Sequence, residues 1–234
     1  MYHYINDKKF LGKLKVECTT IINQLVALIN NEGLLTVKAN IIGPNGVNLI
    51  TQNKKEAINV DYNISIIEVK DNSIKGGNNI KEYIRKRFNV VLRNNKWGNS
   101  YEKGISIMTK ERYLKNYFYF KFCIKLFIIK EHCSKQFILI NTKNKPYDKN
   151  TWIWNEIKDS MNLNTKVKFI KDIKRWNDVR EMYSFIKNLY YINVNNKYLD
   201  INHPSFMCYI EAVNKVYDKY KNKFWKIINR VILK

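Results

Sequence analysis

Two neighbouring segments of the sequence constrain the fold most. The first is an apolar stretch, Ile41–Ile50, which contains the turn sequence Gly43-Pro44-Asn45-Gly46. The second, Asn59–Ile66, is predicted to be a strand and carries one acidic residue, Asp61, inside an otherwise apolar run. A carboxylate inside a sheet is costly unless it has a metal ion, a basic partner or a route to water. Asp61 is therefore the first candidate for chemistry.

Apolar periodicity predicts an N-terminal part that mixes helices with strands. Helical spacing predicts helices over residues 8–31 and 80–94. Predicted strands are Thr36–Ile42, Val47–Thr51, Ala57–Val69, Ile105–Thr109 and Lys135–Asn141. The aromatic and branched run Tyr117–Ile129 predicts a central strand.

The pattern becomes helical after a polar segment, Asn141–Asn150, which is the best candidate for a linker. Helices are expected at Trp152–Met161, at Asp172–Leu189 and from His203-Pro204-Ser205 to about Leu233. The predicted fold class is α/β (α+β): a small mixed sheet flanked by helices, followed by a helical C-terminal domain. The predicted domains are residues 1–145 and 146–234.

The charge balance predicts a polyanionic partner. Lysine and arginine number 42 against 20 acidic residues, a net charge of +22, and nucleic acid is the commonest polyanion in cells. A genome rich in A and T would also encode many lysines, asparagines and isoleucines. The positive charge therefore has two open explanations, a polyanionic partner and genomic composition. Four widely spaced cysteines predict neither a zinc site nor disulfides. We expect a cytoplasmic protein without a signal peptide or a membrane span.

The order of helix, strand, glycine turn and acid-bearing strand resembles the nucleotidyltransferase fold over about residues 20–130. In that family a Gly-Ser turn holds a triphosphate, and carboxylates on two strands bind a pair of metal ions. The resemblance implies a nucleotide-binding turn at Gly43, Asn45 and Gly46, and catalytic residues Asp61 and Asn63, with Asp61 as the Mg²⁺ ligand. Alternate residues on a strand face the same side, as such a site requires.

The sequence also departs from the family pattern. Pro44 replaces the serine of the turn, Asn63 or Asn59 stands where a second carboxylate would be, and the strand of the third carboxylate has no acid among residues 122–125. One carboxylate and an amide bind Mg²⁺ more weakly than three carboxylates. The hypothesis is therefore a divergent nucleotidyltransferase-like protein that acts on or binds nucleic acid. Both a catalytically active version and a version that has lost catalysis stay open.

Two alternatives belong to other functional classes. Glu68-Val69-Lys70, with Asp61 upstream, matches the minimal signature of the PD-(D/E)xK metal-dependent nucleases. The second alternative is a non-catalytic nucleic-acid-binding accessory protein of a mobile element or plasmid. In either nucleic-acid hypothesis, cations neutralise phosphates and nearby rings stack on unpaired bases. The predicted contact residues are Arg85, Arg87, Arg112, Lys115, Lys219 and Lys223.

Overall fold

A computed structural model of the chain describes residues 1–42, 49–53, 56–141, 151–195 and 205–232. It confirms the predicted fold class, a mixed α+β protein with helices at its C-terminal end. The chain divides into two compact units, Tyr2–Ile157 and Lys158–Lys234. None of the described helices is long and apolar enough to cross a membrane.

Two helices cover one face of the sheet in the first unit: α1, Lys8–Glu32, and α2, Gly77–Asn94. Asp7 caps α1, because its Oδ1 accepts a hydrogen bond of 2.8 Å from the Phe10 amide. Gly33 ends α1 in the left-handed region, with φ of 73°, which glycine adopts without strain. A short 3-10 turn, Asn72–Ile74, precedes α2.

The first unit has ten described strands. They are β1 Tyr2–Tyr4, β2 Leu35–Ile41, β3 Thr51–Asn53, β4 Ile58–Val69, β5 Tyr101–Lys103, β6 Ser106–Met108, β7 Arg112–Leu114, β8 Tyr117–His132, β9 Lys135–Asn141 and β10 Trp152–Glu156. The main sheet has the order β10-β9-β8-β4-β2, and β1 pairs with β3 separately. β4 pairs antiparallel with β2 and parallel with β8. The other edge of β8 pairs with β6, β7 and β9.

The core lies between the sheet and the two helices. Alternate residues of β4 and β8 enter it, and those of β4 are Ile58, Val60, Tyr62 and Ile64. They pack with buried side chains of α1, such as Phe10 and Leu14, and of α2, such as Phe88. The intervening residues of β4 and β8 therefore point to the opposite face of the sheet.

The second unit contains three described helices, α3 Leu163–Asp172, α4 Trp176–Asn195 and α5 Ser205–Ile232. Their buried apolar side chains include Ile170, Val179, Tyr183 and Val213. The rings of Phe169 on α3 and Tyr217 on α5 meet edge to face, with centroids 5.2 Å apart.

Several local predictions are corrected. The helix expected at Trp152–Met161 is wrong, because Trp152–Glu156 pairs antiparallel with β9 and alternates inner and outer side chains. The helix expected over Asp172–Leu189 corresponds to α4 but begins four residues later, at Trp176. The preceding helix α3 was not predicted, and the chain between the two helices turns at Lys174, where φ is 58°. The second predicted strand begins at Thr51, while residues 47–48 lie outside the described chain. The predicted linker, at residues 142–150, lies outside it as well.

Candidate nucleotide site

The strand β4 places a row of polar side chains on the face of the sheet turned away from α1 and α2. We define this polar row as Asn59, Asp61, Asn63 and Ser65. Asp61 is 8% exposed and Asn63 is 5% exposed, although neither side chain belongs to the apolar core. Two predicted site residues are therefore neighbours on one face and are both withdrawn from solvent.

The parallel pairing of β4 with β8 determines what lies beside the polar row. Asn59 pairs with Cys123, Asp61 with Lys125 and Asn63 with Phe127. The next strand on this face thus presents a thiol, an ammonium group and a ring where the nucleotidyltransferase pattern requires a carboxylate. Sequence reasoning had found no acid in this run, but it had not placed Lys125 next to Asp61.

The hydrogen bond and the pKa of the Cys123 thiol depend on its neighbours in the polar row. Its Sγ donates a hydrogen bond of 3.0 Å to Asn59 Oδ1. Burial and, to a smaller extent, the negative charge of Asp61 raise the pKa of the Cys123 thiol to about 12, against an opposing effect of Lys125. The thiol is therefore protonated at neutral pH and serves as a hydrogen-bond donor.

Two oxygen atoms of the polar row have no hydrogen-bond partner among the described residues: Asp61 Oδ1 and Asn63 Oδ1. Within the same part of the chain, no ion pair includes Asp61. Buried polar atoms in folded proteins are nearly always partnered. Two adjacent unpartnered oxygen atoms indicate a place for a cation or for a hydrogen-bond donor.

The ligand set fits one Mg²⁺ ion and does not fit two. Carboxylate and amide oxygen atoms suit Mg²⁺, which commonly takes one or two carboxylates and completes its shell with water and phosphate. A second ion would need further acidic ligands, and the described residues contain no cluster of three or more His, Cys, Asp or Glu side chains that could supply them. The Lys125 ammonium group further disfavours a second cation beside Asp61.

The predicted phosphate turn, with Gly43, Asn45 and Gly46, lies outside the described residues, so its role stays a prediction. The chain just before it is fixed beside the site, because the Ile42 amide donates a hydrogen bond of 2.9 Å to the Asp61 carbonyl oxygen.

The residues of the nuclease alternative do not meet. Glu68 lies seven positions after Asp61 on the same strand, about 23 Å away at ~3.3 Å per residue.

The six predicted nucleic-acid contacts are distributed over α2, the β7–β8 hairpin and α5. Arg85 and Arg87 lie on α2 and pair with Glu82 and Glu32, in each case at 2.7 Å. Arg112 and Lys115 belong to the β7–β8 hairpin, where Arg112 donates to the Lys96 carbonyl at 3.1 Å and Lys115 is exposed. Lys219 and Lys223 lie on α5, in the other compact unit. Lys219 is 3.8 Å from Asp178, and the side chain of Lys223 is outside the described set.

Comparison with known proteins gives a distant likeness. No protein-family model matches the sequence, and no curated protein matches it. Among solved structures, the chain is similar to the cyclic dinucleotide synthase CdnE of Elizabethkingia meningoseptica, determined with GTP and Apcpp. The similarity covers 89% of this chain and 78% of the synthase, with a TM-score of 0.44 and 11% identity.

Proposed function

We propose that this chain is a divergent nucleotidyltransferase-like protein that binds a nucleotide at the polar row and has lost the two-metal transfer reaction. The observation that carries the proposal is the pair of unpartnered, buried oxygen atoms on Asp61 and Asn63, in register with Lys125. Such a row suits a ligand that brings both a cation and negative charge, as a magnesium nucleotide does.

Each residue of the row has a distinct role in this proposal. Asp61 and Asn63 would hold one Mg²⁺ through Oδ1, and the ion would neutralise phosphate charge. Lys125 places a basic side chain next to Asp61 and would attract a phosphate oxygen directly. The turn Gly43–Gly46 keeps its predicted role as the phosphate-binding segment; it follows Ile42, whose amide donates to the Asp61 carbonyl oxygen.

The residues of the polar row also account for the proposed loss of the two-metal transfer reaction. Two-metal catalysis stabilises both the attacking and the leaving oxygen atoms and needs carboxylates shared between the ions. Asp61 is the sole acid of the polar row, and the register partner that could complete the set is a lysine. Binding without transfer is the function that this chemistry supports best.

The test is nucleotide-dependent stabilisation of the full chain. We expect ATP or GTP with Mg²⁺ to raise the melting temperature and EDTA to reduce the effect; a ligand at ~100 times its Kd adds about 2.7 kcal/mol. The isosteric change Asp61→Asn should weaken binding about tenfold or more, while Glu68→Gln, at the other end of β4, should leave it unchanged.

Two results would contradict the proposal. If neither nucleotide stabilised the wild-type protein at millimolar concentration, nucleotide binding would be wrong. If labelled nucleotide were transferred to RNA or to a second nucleotide, and Asp61→Asn abolished that transfer, loss of the reaction would be wrong. Calorimetric titration of both variants separates reduced affinity from reduced stability.

A further inference from the structure

The β7–β8 hairpin contains an outward bulge of aromatic residues. Tyr113 pairs with Lys121, but the next residue of β7, Leu114, pairs with Tyr117. Residues 118–120 of β8 therefore have no register partner on β7. A bulge of this kind bends the strand and redirects its side chains.

Both ends of the bulge are anchored on α1. The Phe10 ring lies 5.3 Å from the Tyr117 ring and 4.9 Å from the Phe120 ring, centroid to centroid. Lys13 Nζ lies 5.2 Å from the Tyr117 centroid. Because Phe10 is fully buried, these contacts hold the bulge in one conformation.

The residues between the anchors point into solvent. Phe118 is 74% exposed and Tyr119 is 93% exposed, the two highest values for a large apolar side chain among the described residues. Scattered single exposed apolar residues are common, but two consecutive residues of an anchored hairpin with their rings in solvent favour a ligand. The hydroxyl group of Tyr119 makes this patch amphipathic.

Lysines precede and follow the two rings along the hairpin. Lys115 is exposed at the hairpin turn, and Lys121 lies on β8 with its Nζ 3.7 Å from Glu111. A groove of about 410 Å³ continues from the turn onto α1, lined by Lys13 and Lys115 as well as by the half-exposed Glu17. The lysines outnumber the two carboxylates here, in a chain whose net charge is +22.

We propose that this hairpin is a binding site for single-stranded nucleic acid. Unpaired bases would stack on Phe118 and Tyr119, and Lys13, Lys115 and Lys121 would neutralise the backbone. Rings flanked by cations are the usual means of binding single strands without sequence preference. A lipid surface is the alternative occupant, and the test below separates it from single-stranded nucleic acid. The site is independent of the nucleotide site at Asp61.

The test measures fluorescence anisotropy of labelled oligo-dT and oligo-U, about 20 nucleotides long, with the full chain at about 50 mM NaCl. We expect the double change Phe118→Ala and Tyr119→Ala to weaken binding roughly tenfold or more. Phe185→Ala, which removes a ring that is 60% exposed on α4, is the matched control and should bind as the wild type does. Lys115→Gln should lower the slope of log K against log salt by about one.

Three outcomes would overturn the proposal. They are no binding by the wild-type protein, equal binding by the double variant, and equally tight binding of a duplex of the same length.

Vesicles with and without phosphatidylserine test the lipid surface. If the double variant lost vesicle binding but kept oligonucleotide binding, the rings would be assigned to lipid. Nucleotide-dependent stabilisation of the double variant should persist, so failure here is distinguishable from failure at Asp61. Circular dichroism and melting confirm that each variant is folded.

Discussion

Asp61 on β4 and Lys125 on β8 are register partners in a parallel pair, so a buried carboxylate and an ammonium group share one face of the sheet. They are not joined as an ion pair in the described chain. This arrangement leaves Asp61 Oδ1 available to a ligand while Lys125 limits the positive charge that a ligand can bring. Changing the lysine should therefore change the ions that the row accepts.

Lys125→Glu should create a divalent-metal requirement. Two adjacent carboxylates repel each other, so we expect the variant to be less stable than the wild type by about 1–2 kcal/mol in EDTA. Mg²⁺ or Mn²⁺ should restore most of that loss, which melting curves at increasing metal concentration would measure. Lys70→Glu makes the same charge change beside the exposed Glu68 and should show no metal-dependent recovery. Equal responses of the two variants would contradict the site.

Lys81 on α2 should be essential for stability. Its Nζ lies 2.6 Å from Glu102 and 2.7 Å from Glu82, and the residue is only 6% exposed. Lys81→Met should lower the free energy of unfolding by about 1–3 kcal/mol, because two partly buried carboxylates lose a charged donor. Urea denaturation measures the change. Lys86→Met, at an exposed position of the same helix, should cost under about 0.5 kcal/mol.

Gly77 and Gly12 should respond to alanine with opposite signs. A Cβ at Gly77 would overlap the Trp152 carbonyl group and lie 2.7 Å from its carbon, so Gly77→Ala should destabilise by about 1–3 kcal/mol. At Gly12, the fifth residue of α1, a Cβ meets nothing within 4 Å. Gly12→Ala should stabilise by about 0.5–1 kcal/mol. If Gly77→Ala melted at the wild-type temperature, the close packing of α2 against β10 would be wrong.

One thiol should react quickly with a thiol reagent in the native state. Cys133 is exposed, whereas Cys18, Cys123 and Cys208 are buried. Burial also raises the pKa of the Cys18 and Cys123 thiols, which lowers the fraction of reactive thiolate. A colorimetric thiol titration at about pH 8 should count one fast group, and Cys133→Ser should remove it. Fast reaction of a second group would show that the buried thiols open readily.

Acid should destabilise the first unit through Glu82. A hydrogen bond from Arg85, followed by the effect of Lys81, lowers the pKa of Glu82 from 4.5 to about 2. A lowered pKa in the folded state adds stability that is complete above pH 4.5 and is lost as the pH falls toward 2. Glu82→Gln should therefore flatten the dependence of unfolding free energy on pH in that window. An unchanged slope would show that Glu82 is not stabilised by its partners.

Local sequence patterns were sufficient for most helices and strands, and for Asp61. A lone acid in an apolar run predicts a buried carboxylate whichever strand pairs with it, so Asp61 needed no knowledge of the sheet. The partner Lys125 could not be predicted, because parallel register joins segments 64 residues apart, as for Asn59 and Cys123. Nothing local to either strand encodes that register.

Tertiary contacts account for the other differences. Arg87 stays a predicted nucleic-acid contact, but its ion pair with Glu32, 55 residues away on α1, could not be predicted. Trp152 and Trp154 suit a helix or a strand, and pairing with β9 decides between them. Phe118 and Tyr119 belong to a run that predicts a buried strand, and the register shift opposite β7 turns them outward. In each case the deciding interaction comes from another element.

The parallel pairing of β4 with β8 also has a kinetic consequence. Parallel neighbours cannot form by a hairpin, so the chain must close a long loop through α2 and β5–β7 before Asp61 meets Lys125. Contacts so distant in sequence slow the search for the native state. The polar row would thus acquire its neighbour Lys125 late in folding. A ligand that recognises both would distinguish the native protein from folding intermediates.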